Sequence, residues 1–174
     1  MRIMGIDPGT VRMGYGLVDE EAGGRLDVVS YGTLSVPSRM PPSQRLHRLY
    51  EGLLTLVDRY EPGEMAVEEP FVSQTHSRNV RSALAIGRAE AVAMLVAAGR
   101  DIPVHTYAPA RVKQMVTDHG DSDKEQVQRM VCLQLGLPEV PEPSDAADAL
   151  AVALCHVQER RLARLVDGGG WRRG

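Results

Sequence analysis

The chain has few cysteines and no long uncharged apolar run. Its 174 residues include two Cys, and the most apolar stretch, residues 83–98, is interrupted by Arg88 and Glu90. A membrane helix needs about 20 predominantly apolar residues, so we expect no membrane span. The first residues become acidic too early for a signal peptide. We therefore expect a reduced, cytoplasmic protein.

Lysine and phenylalanine are also scarce. Of 20 basic residues only Lys113 and Lys124 are lysines, and Phe71 is the single phenylalanine. Coding composition explains a general preference for Arg. Lys and Arg are not interchangeable where a site needs a compact charge. A Lys in a chain that otherwise uses Arg is therefore a weak indicator of such a site.

The net charge of −3 is small but unevenly distributed. It is −4 in residues 1–70, +3 in 71–119, −5 in 120–155 and +3 in 156–174. A near-neutral total argues against a histone-like nonspecific DNA binder. Alternating segments remain compatible with a nuclease, in which an acidic metal site and a basic substrate face cancel.

Hydrophobic periodicity and turn residues predict the element order β-β-β-α-β-α-β-α-α-α. A capping box is predicted from Ser122 to Glu125, and Ser144 is predicted to cap the last helix. An antiparallel meander followed by alternating helices and strands predicts an α/β fold with a mixed five-stranded sheet covered by helices on both faces. We expect a single domain over residues 1–166 and a flexible tail over 167–174. The predicted strands are 2–7, 14–19, 26–36, 65–67 and 102–107, and the predicted helices are 43–60, 77–98, 109–116, 123–135 and about 144–165.

Four carboxylates stand at the ends of these elements. Asp7 and Glu68 each end an apolar strand, and Asp145 and Asp148 share one face in the first turn of the last helix. Simpler interpretations exist, since a strand-end Asp forms turns and acidic residues stabilise helix N-termini. If the four converge, their repulsion requires neutralising cations.

Hard divalent ions with oxygen ligands provide that neutralisation. Two such ions about 4 Å apart activate an attacking water and stabilise the leaving oxygen of a phosphodiester. Cys155 and His156 are adjacent on a helix and diverge, while Cys132 is distant, so we expect no competing Cys or His metal site.

A stripe of small residues, Ala83, Gly87 and Ala91, follows the second predicted helix. The stripe is interpreted either as a dimer seam or as packing on the chain's own sheet. Basic residues in the middle segment are candidate contacts to DNA phosphates, although a solvated helix face explains some of them equally well. They are Arg78, Arg81, Arg88, Arg111 and Lys113.

Several blocks, in this order and spacing, resemble the RuvC family of bacterial Holliday junction resolvases. They are GIDPGT at 5–10, GYG at 14–16, AVEEPF at 66–71, RVKQ at 111–114, DKEQVQ at 123–128 and SDAADALA at 144–151. The resemblance covers residues 2 to about 157. It implies a ribonuclease H-like fold and a homodimer that uses one or two Mg²⁺ or Mn²⁺ ions per subunit.

The same resemblance implies paired symmetric nicks that leave 5′ phosphates at four-way DNA junctions, during homologous recombination and repair. It also implies cooperation with the RuvA and RuvB branch-migration proteins in the bacterial cytoplasm. Site residues carry over as follows: Asp7, Glu68, Asp145 and Asp148 as catalytic metal ligands, Lys113 and Lys124 as functional lysines near the scissile phosphate, and Phe71 as the aromatic that stacks on a base.

Two other hypotheses remain open from the sequence. The loop Asp7-Pro8-Gly9-Thr10 also looks like the first phosphate loop of actin-like kinases, which would make the chain a phosphotransferase fragment. A junction-binding protein without catalysis would share the DNA-contacting residues but would not nick.

Overall fold

A computed structural model describes residues 1–70 and 77–168, with side chains in the second range from 81 to 166. Within these residues the predicted order of elements is confirmed. The strands are β1 (Arg2–Asp7), β2 (Arg12–Glu20), β3 (Leu26–Ser35), β4 (Glu64–Glu68) and β5 (Val104–Tyr107). The helices are α1 (Pro42–Tyr60), α2 (Ser77–Ala98), α3 (Pro109–Thr117), α4 (Lys124–Leu135) and α5 (Ser144–Gly168).

The strands form one mixed sheet in the order β3-β2-β1-β4-β5. The first three strands are antiparallel to one another, as short connections require, while β4 runs parallel to both β1 and β5. Helices α1 and α2 cover one face of the sheet, and α3, α4 and α5 lie on the other. The predicted mixed sheet with helices on both faces is therefore confirmed.

Two apolar clusters hold these layers together, because successive side chains of a strand point to opposite faces. Met4 and Met65 are fully buried against α1 and α2, whereas their neighbours Ile3 and Ala66 are buried against α5. Both faces of β1 and β4 are thus covered, which explains their nearly continuous apolar sequences.

Helix α5 lies unusually close to β1 and β2 because glycines face it. A Cβ at Gly5 would overlap the carbonyl oxygen of Ala149, and a Cβ at Gly14 would overlap the carbonyl oxygen of Asp145. The close approach places the first turns of α5 beside the end of β1, since Gly14 is the partner of Asp7 in the sheet register.

The capping box of α4 is displaced by one residue from its predicted position. Asp123, not Ser122, is the N-cap: its carboxylate accepts from Gln126 N at 2.8 Å, and Gln126 Oε1 accepts from Asp123 N at 3.1 Å. The hydroxyl of Ser122 is engaged elsewhere, 2.6 Å from Thr117 Oγ1, with a further hydrogen bond to His119 O at 3.1 Å.

Other boundaries differ by a few residues. Strand β5 begins at Val104 rather than 102 because Pro103 has no N–H to contribute to the ladder. Helix α5 starts at Ser144 itself and extends to Gly168, two residues into the predicted tail; residues 169–174 lie outside the described part. None of the helices in the described ranges combines the length and apolar character needed to cross a membrane.

Candidate active site

The strand topology places two of the predicted carboxylates side by side. Asp7 is the last residue of β1 and Glu68 the last residue of β4, and these strands are parallel neighbours in which Ile6 pairs with Val67. Adjacent strands are about 4.8 Å apart, so both carboxylates lie next to each other at the carboxyl ends of these two strands.

Electrostatics show that α5 brings the other two carboxylates to the same place. The pKa of Asp7 is raised to about 7, first by burial and then by the negative charges of Asp148 and Asp145. The pKa of Glu68 is also raised to about 7, by burial and then by Asp7 and Asp148. The structure thus brings together all four carboxylates predicted from the sequence.

Two cationic side chains bind the outer members of the group. Lys124 Nζ lies 2.6 Å from Asp148 Oδ2, and Arg12 Nη1 lies 3.1 Å from Asp145 Oδ2. Burial raises the pKa of Asp148 even though Lys124 acts in the opposite direction. Burial opposes the charge on Lys124, but the hydrogen bond and charge of Asp148 outweigh it, so the pKa of Lys124 is raised. A single lysine does not neutralise this group.

Glu68 and Asp148 border a cleft of about 240 Å³ between the sheet, α3, α4 and α5. Both predicted lysines lie on its wall, and the charge of Lys113 acts on Glu68. The lining residues are Glu68, Pro109, Val112, Lys113, Lys124, Val127, Asp148 and Ala151. Its charged groups therefore sit on a partly apolar wall.

The predicted arginines have different positions. Arg111 is engaged by Glu159, with Nε to Oε1 at 2.5 Å, and by Gln114; it lines a separate cavity of about 440 Å³ between α3 and α5. Arg81 is exposed on α2. Phe71 lies outside the described residues, and Arg78 lies in α2 with its side chain outside the described part.

The small residues on α2 do not all face the same way: one packs on the chain's own sheet and the others face outward. Ala83 is buried, as packing on the chain's own sheet predicts, whereas Ala91 is exposed. A Cβ at Gly87 would meet no heavy atom within 4 Å. Beside them, Leu84 and Leu95 are 59% and 64% exposed. The outward part of the stripe therefore belongs to an exposed apolar face.

The ligand chemistry of the cleft fits a hard divalent cation. Asp7 and Glu68 are partly buried beside further carboxylates and offer only oxygen donors, the ligand type that Mg²⁺ and Mn²⁺ take. Burial, followed by repulsion from neighbouring carboxylates, raises both pKa values to about 7, and a bound cation would offset both effects.

The stability of the metal-free protein is expected to fall as pH rises. Asp7 and Glu68 have folded pKa values of about 7 and ordinary values of 3.8 and 4.5, so the folded state binds more protons than the unfolded state between about pH 4 and pH 7. Their protonation stabilises the fold at low pH, and this contribution is lost as pH rises through 7. In EDTA, the unfolding free energy should decrease by roughly 2 kcal/mol for each of the two carboxylates between pH 5.5 and pH 8.

Urea unfolding at both pH values measures this decrease, and saturating Mg²⁺ should abolish most of it. The double variant Asp7→Asn, Glu68→Gln is the control and should show a much smaller slope. A wild-type protein equally stable at both pH values in EDTA would contradict the burial of these two carboxylates.

Sequence reasoning missed two features. Arg12, the partner of Asp145, is 133 positions away from it, and no local pattern connects them. Sequence reasoning also did not predict that Glu64, His105 and His156 converge near the start of β4, as a group that could hold a metal ion. These three come from separate elements, so their spacing along the chain carries no signal.

The fold, with carboxylates clustered at the ends of its central strands, defines the class of ribonuclease H-like nucleases. The family model described as crossover junction endodeoxyribonuclease RuvC matches residues 3–156. This chain belongs to the RuvC family, whose activity is metal-dependent endonucleolytic resolution of four-way DNA junctions.

Individual relatives agree over nearly the whole chain. The RuvC of Dehalococcoides mccartyi strain BAV1 is 47% identical over 169 residues, covering 97% of this chain and 98% of the relative. The RuvC of Chloroflexus aggregans is 49% identical over 156 residues, covering 90% and 92%. Among solved structures, T. thermophilus RuvC in complex with Holliday junction substrate has a TM-score of 0.81 at 32% identity, covering 93% of this chain and 96% of that one.

Family membership decides between the hypotheses left open by the sequence. The match covers the loop at Asp7 together with the carboxylates of α5, so that loop belongs to a nuclease and not to an actin-like phosphotransferase fragment. Because the family is defined as an endodeoxyribonuclease, a junction-binding protein without catalysis is the weaker interpretation.

Proposed function

We propose that Asp7, Glu68, Asp145 and Asp148 hold one or two Mg²⁺ or Mn²⁺ ions and that this site hydrolyses DNA phosphodiesters to leave 5′ phosphates. One observation carries the proposal: Asp7 and Glu68 are partly buried beside further carboxylates, and burial and then those charges raise both pKa values to about 7. When bound, the ions supply positive charge that neutralises the carboxylates and polarises the scissile phosphate and the attacking water.

The cationic side chains have two roles in this proposal. In the metal-free protein Lys124 and Arg12 form ion pairs with Asp148 and Asp145. With DNA in the cleft, Lys124 and Lys113 lie where their ammonium groups can neutralise charge that develops on the phosphate. Both lysines therefore act on the substrate side of the site, which agrees with their retention in an Arg-rich chain.

Counting bound Mn²⁺ tests the ligand set. The electron paramagnetic resonance signal of free Mn²⁺ gives the number of ions bound per chain during a titration. The wild type should bind one or two more ions per chain than the Asp7→Asn variant. Loss of a buried carboxylate ligand should weaken the affected site at least about tenfold. Glu139→Gln, a change at an exposed carboxylate between α4 and α5, is the control and should bind as the wild type does. Equal binding by Asp7→Asn and the wild type would refute Asp7 as a ligand.

We propose further that two copies associate through the exposed face of α2. Leu84, Ala91 and Leu95 are exposed on one side of this helix, and Gly87 beside them leaves room for a close approach. A four-way junction has near two-fold symmetry, and a symmetric dimer presents two identical sites to it. That pairing would give the symmetric nicks implied by the family.

Disruption of the α2 face should separate the subunits. Leu95→Arg places a charge on the apolar face and is expected to convert a dimer to a monomer, with loss of coordinated nicking. Sedimentation velocity measures the mass, and Leu133→Arg is the matched control because Leu133 is 74% exposed on α4. A Leu95→Arg protein that stays dimeric at micromolar concentration would place the interface elsewhere.

The remaining expectations concern DNA and protein partners. Arg81 is exposed near the start of α2, in the segment that follows β4 and Phe71, so this segment is proposed to carry DNA contacts. The solved T. thermophilus relative is bound to a Holliday junction substrate. By family resemblance we propose that Phe71 and Arg78 add to these DNA contacts. We also propose that RuvA and RuvB cooperate with the chain in the bacterial cytoplasm.

A further inference from the structure

A second group of potential metal ligands comes from three elements. Glu64 begins β4, His105 lies in β5 and His156 lies in α5, and one ligand atom from each falls within 4.8 Å of the other two. His156 Nε2 is 2.5 Å from Glu64 Oε2, and the rings of His105 and His156 have centroids 4.3 Å apart.

This group is separate from the carboxylate cleft. Glu64 and Glu68 are the first and last residues of β4, so they are about 13 Å apart along the strand. His105 lies on β5, the edge strand, and is exposed, while His156 is only 1% exposed. The cluster therefore has a buried anchor and an opening to solvent.

The neighbours of the cluster resemble the outer partners of a metal site. Tyr107 Oη lies 2.6 Å from His156 Nδ1, so the second ring nitrogen is held by a hydrogen bond. Arg160 Nη1 lies 3.4 Å from Glu64 Oε2 and is a buried nitrogen without a hydrogen-bond partner. Imidazole and carboxylate ligands are commonly oriented by such contacts.

We propose that Glu64, His105 and His156 form a binding site for a borderline divalent cation of the zinc class, Zn²⁺ or Co²⁺. Two imidazoles and one carboxylate make a ligand set that such ions take, whereas the oxygen-only cleft suits harder ions. Three protein ligands leave a fourth position for water, on the exposed side of His105.

Binding requires modest local change. His156 adopts the tautomer in which Nδ1–H donates to Tyr107 Oη, so Nε2 presents its lone pair to the ion in place of its hydrogen bond to Glu64. Burial lowers the pKa of His156, so its ring is neutral at pH 7 and needs no deprotonation. The guanidinium of Arg160 stays on Glu64, and its charge limits the affinity of the site.

The bound ion would connect β4, β5 and α5. Helix α5 also carries Asp145 and Asp148, so the ion would fix the active-site helix to the edge of the sheet. Because such an ion binds the folded state, it raises the unfolding temperature, and this effect does not depend on nuclease activity.

Cobalt titration of the full chain tests the site in the Asp7→Asn, Glu68→Gln background, where the carboxylate cleft is disabled. This protein should bind one equivalent of Co²⁺ with the visible d–d absorption of a four-coordinate nitrogen and oxygen site, and Zn²⁺ should displace it. Adding His105→Asn should weaken binding at least about tenfold. His47→Asn is the matched control, because it also removes an exposed imidazole that lies beside a glutamate. Adding it should leave Co²⁺ binding unchanged.

Two readouts keep the outcome interpretable. His105→Asn alters an exposed edge position, so thermal unfolding in EDTA should match its parent, and in the wild-type background Mg²⁺-dependent nicking should persist. Zn²⁺ should raise the unfolding temperature of the parent and leave that of His105→Asn unchanged. Equal Co²⁺ affinity in the two proteins, or a spectrum of six-coordinate oxygen ligation, would overturn the proposal; failure of nicking alone would bear only on the carboxylate site.

Discussion

The Asp7→Asn variant is expected to lose metal-dependent nicking of a four-way junction by roughly 1,000-fold while still binding the junction. Asp7 lies among the other charged groups of the site, since Asp148, Asp145 and Lys124 all act on its pKa. Asparagine keeps the shape and burial of the side chain but removes the charge that holds a cation. DNA affinity depends on basic contacts that the substitution does not touch.

Single-turnover cleavage and gel-shift binding with the same labelled junction separate the two effects. The matched control is Asp118→Asn, because Asp118 has φ 64°, a conformation that asparagine tolerates, and lies at the end of α3 away from the cleft. The variant should also be more stable than the wild type in EDTA, since a buried charge is removed. Cleavage within tenfold of the wild type would refute Asp7 as a metal ligand.

The second large effect is structural. Gly14→Ala is expected to reduce the unfolding free energy by about 3 kcal/mol or more, because its methyl group would overlap the carbonyl oxygen of Asp145. The overlap is with backbone, which cannot rotate away, so α5 must move. That movement displaces Asp145 and Asp148 from Asp7, and nicking should be lost along with stability.

Gly23→Ala is the control for this substitution. Gly23 lies in the turn between β2 and β3, and a Cβ there would meet nothing within 4 Å. Urea denaturation of both variants measures the difference. A Gly14→Ala protein that unfolds at the wild-type urea concentration and nicks normally would show that the contact between α5 and β2 is looser than described.

The sequence allowed prediction of the element order and the four carboxylates because both depend on local patterns. An apolar strand that ends in Asp7 or Glu68 places the carboxylate at the carboxyl end of that strand, whatever the rest of the chain does. The partners of these groups depend on tertiary packing instead. Arg12 and Asp145, or Glu64 and His156, meet only after the sheet and α5 have assembled, so no spacing along the chain predicts them.

Two local patterns failed for physical reasons. Ser122 and Asp123 are both good cap residues, but the Ser122 hydroxyl is engaged by Thr117 and His119 in the loop before α4, and Asp123 is the N-cap. On α2, Ala83 and Ala91 are eight residues apart, which rotates their directions by about 80° around the helix. One therefore faces the core and the other faces solvent, although the sequence suggested a single stripe.

The central claim is that the four carboxylates form a metal-dependent nuclease site for four-way junctions. The most direct measurement incubates the wild-type protein with a synthetic four-way junction and, in parallel, with a linear duplex of the same sequence. With Mg²⁺ or Mn²⁺ we predict paired symmetric nicks in the junction, sealable by ligase because they carry 5′ phosphates, with none in EDTA and little cutting of the duplex. A protein that binds the junction but leaves it intact with either ion would contradict the claim.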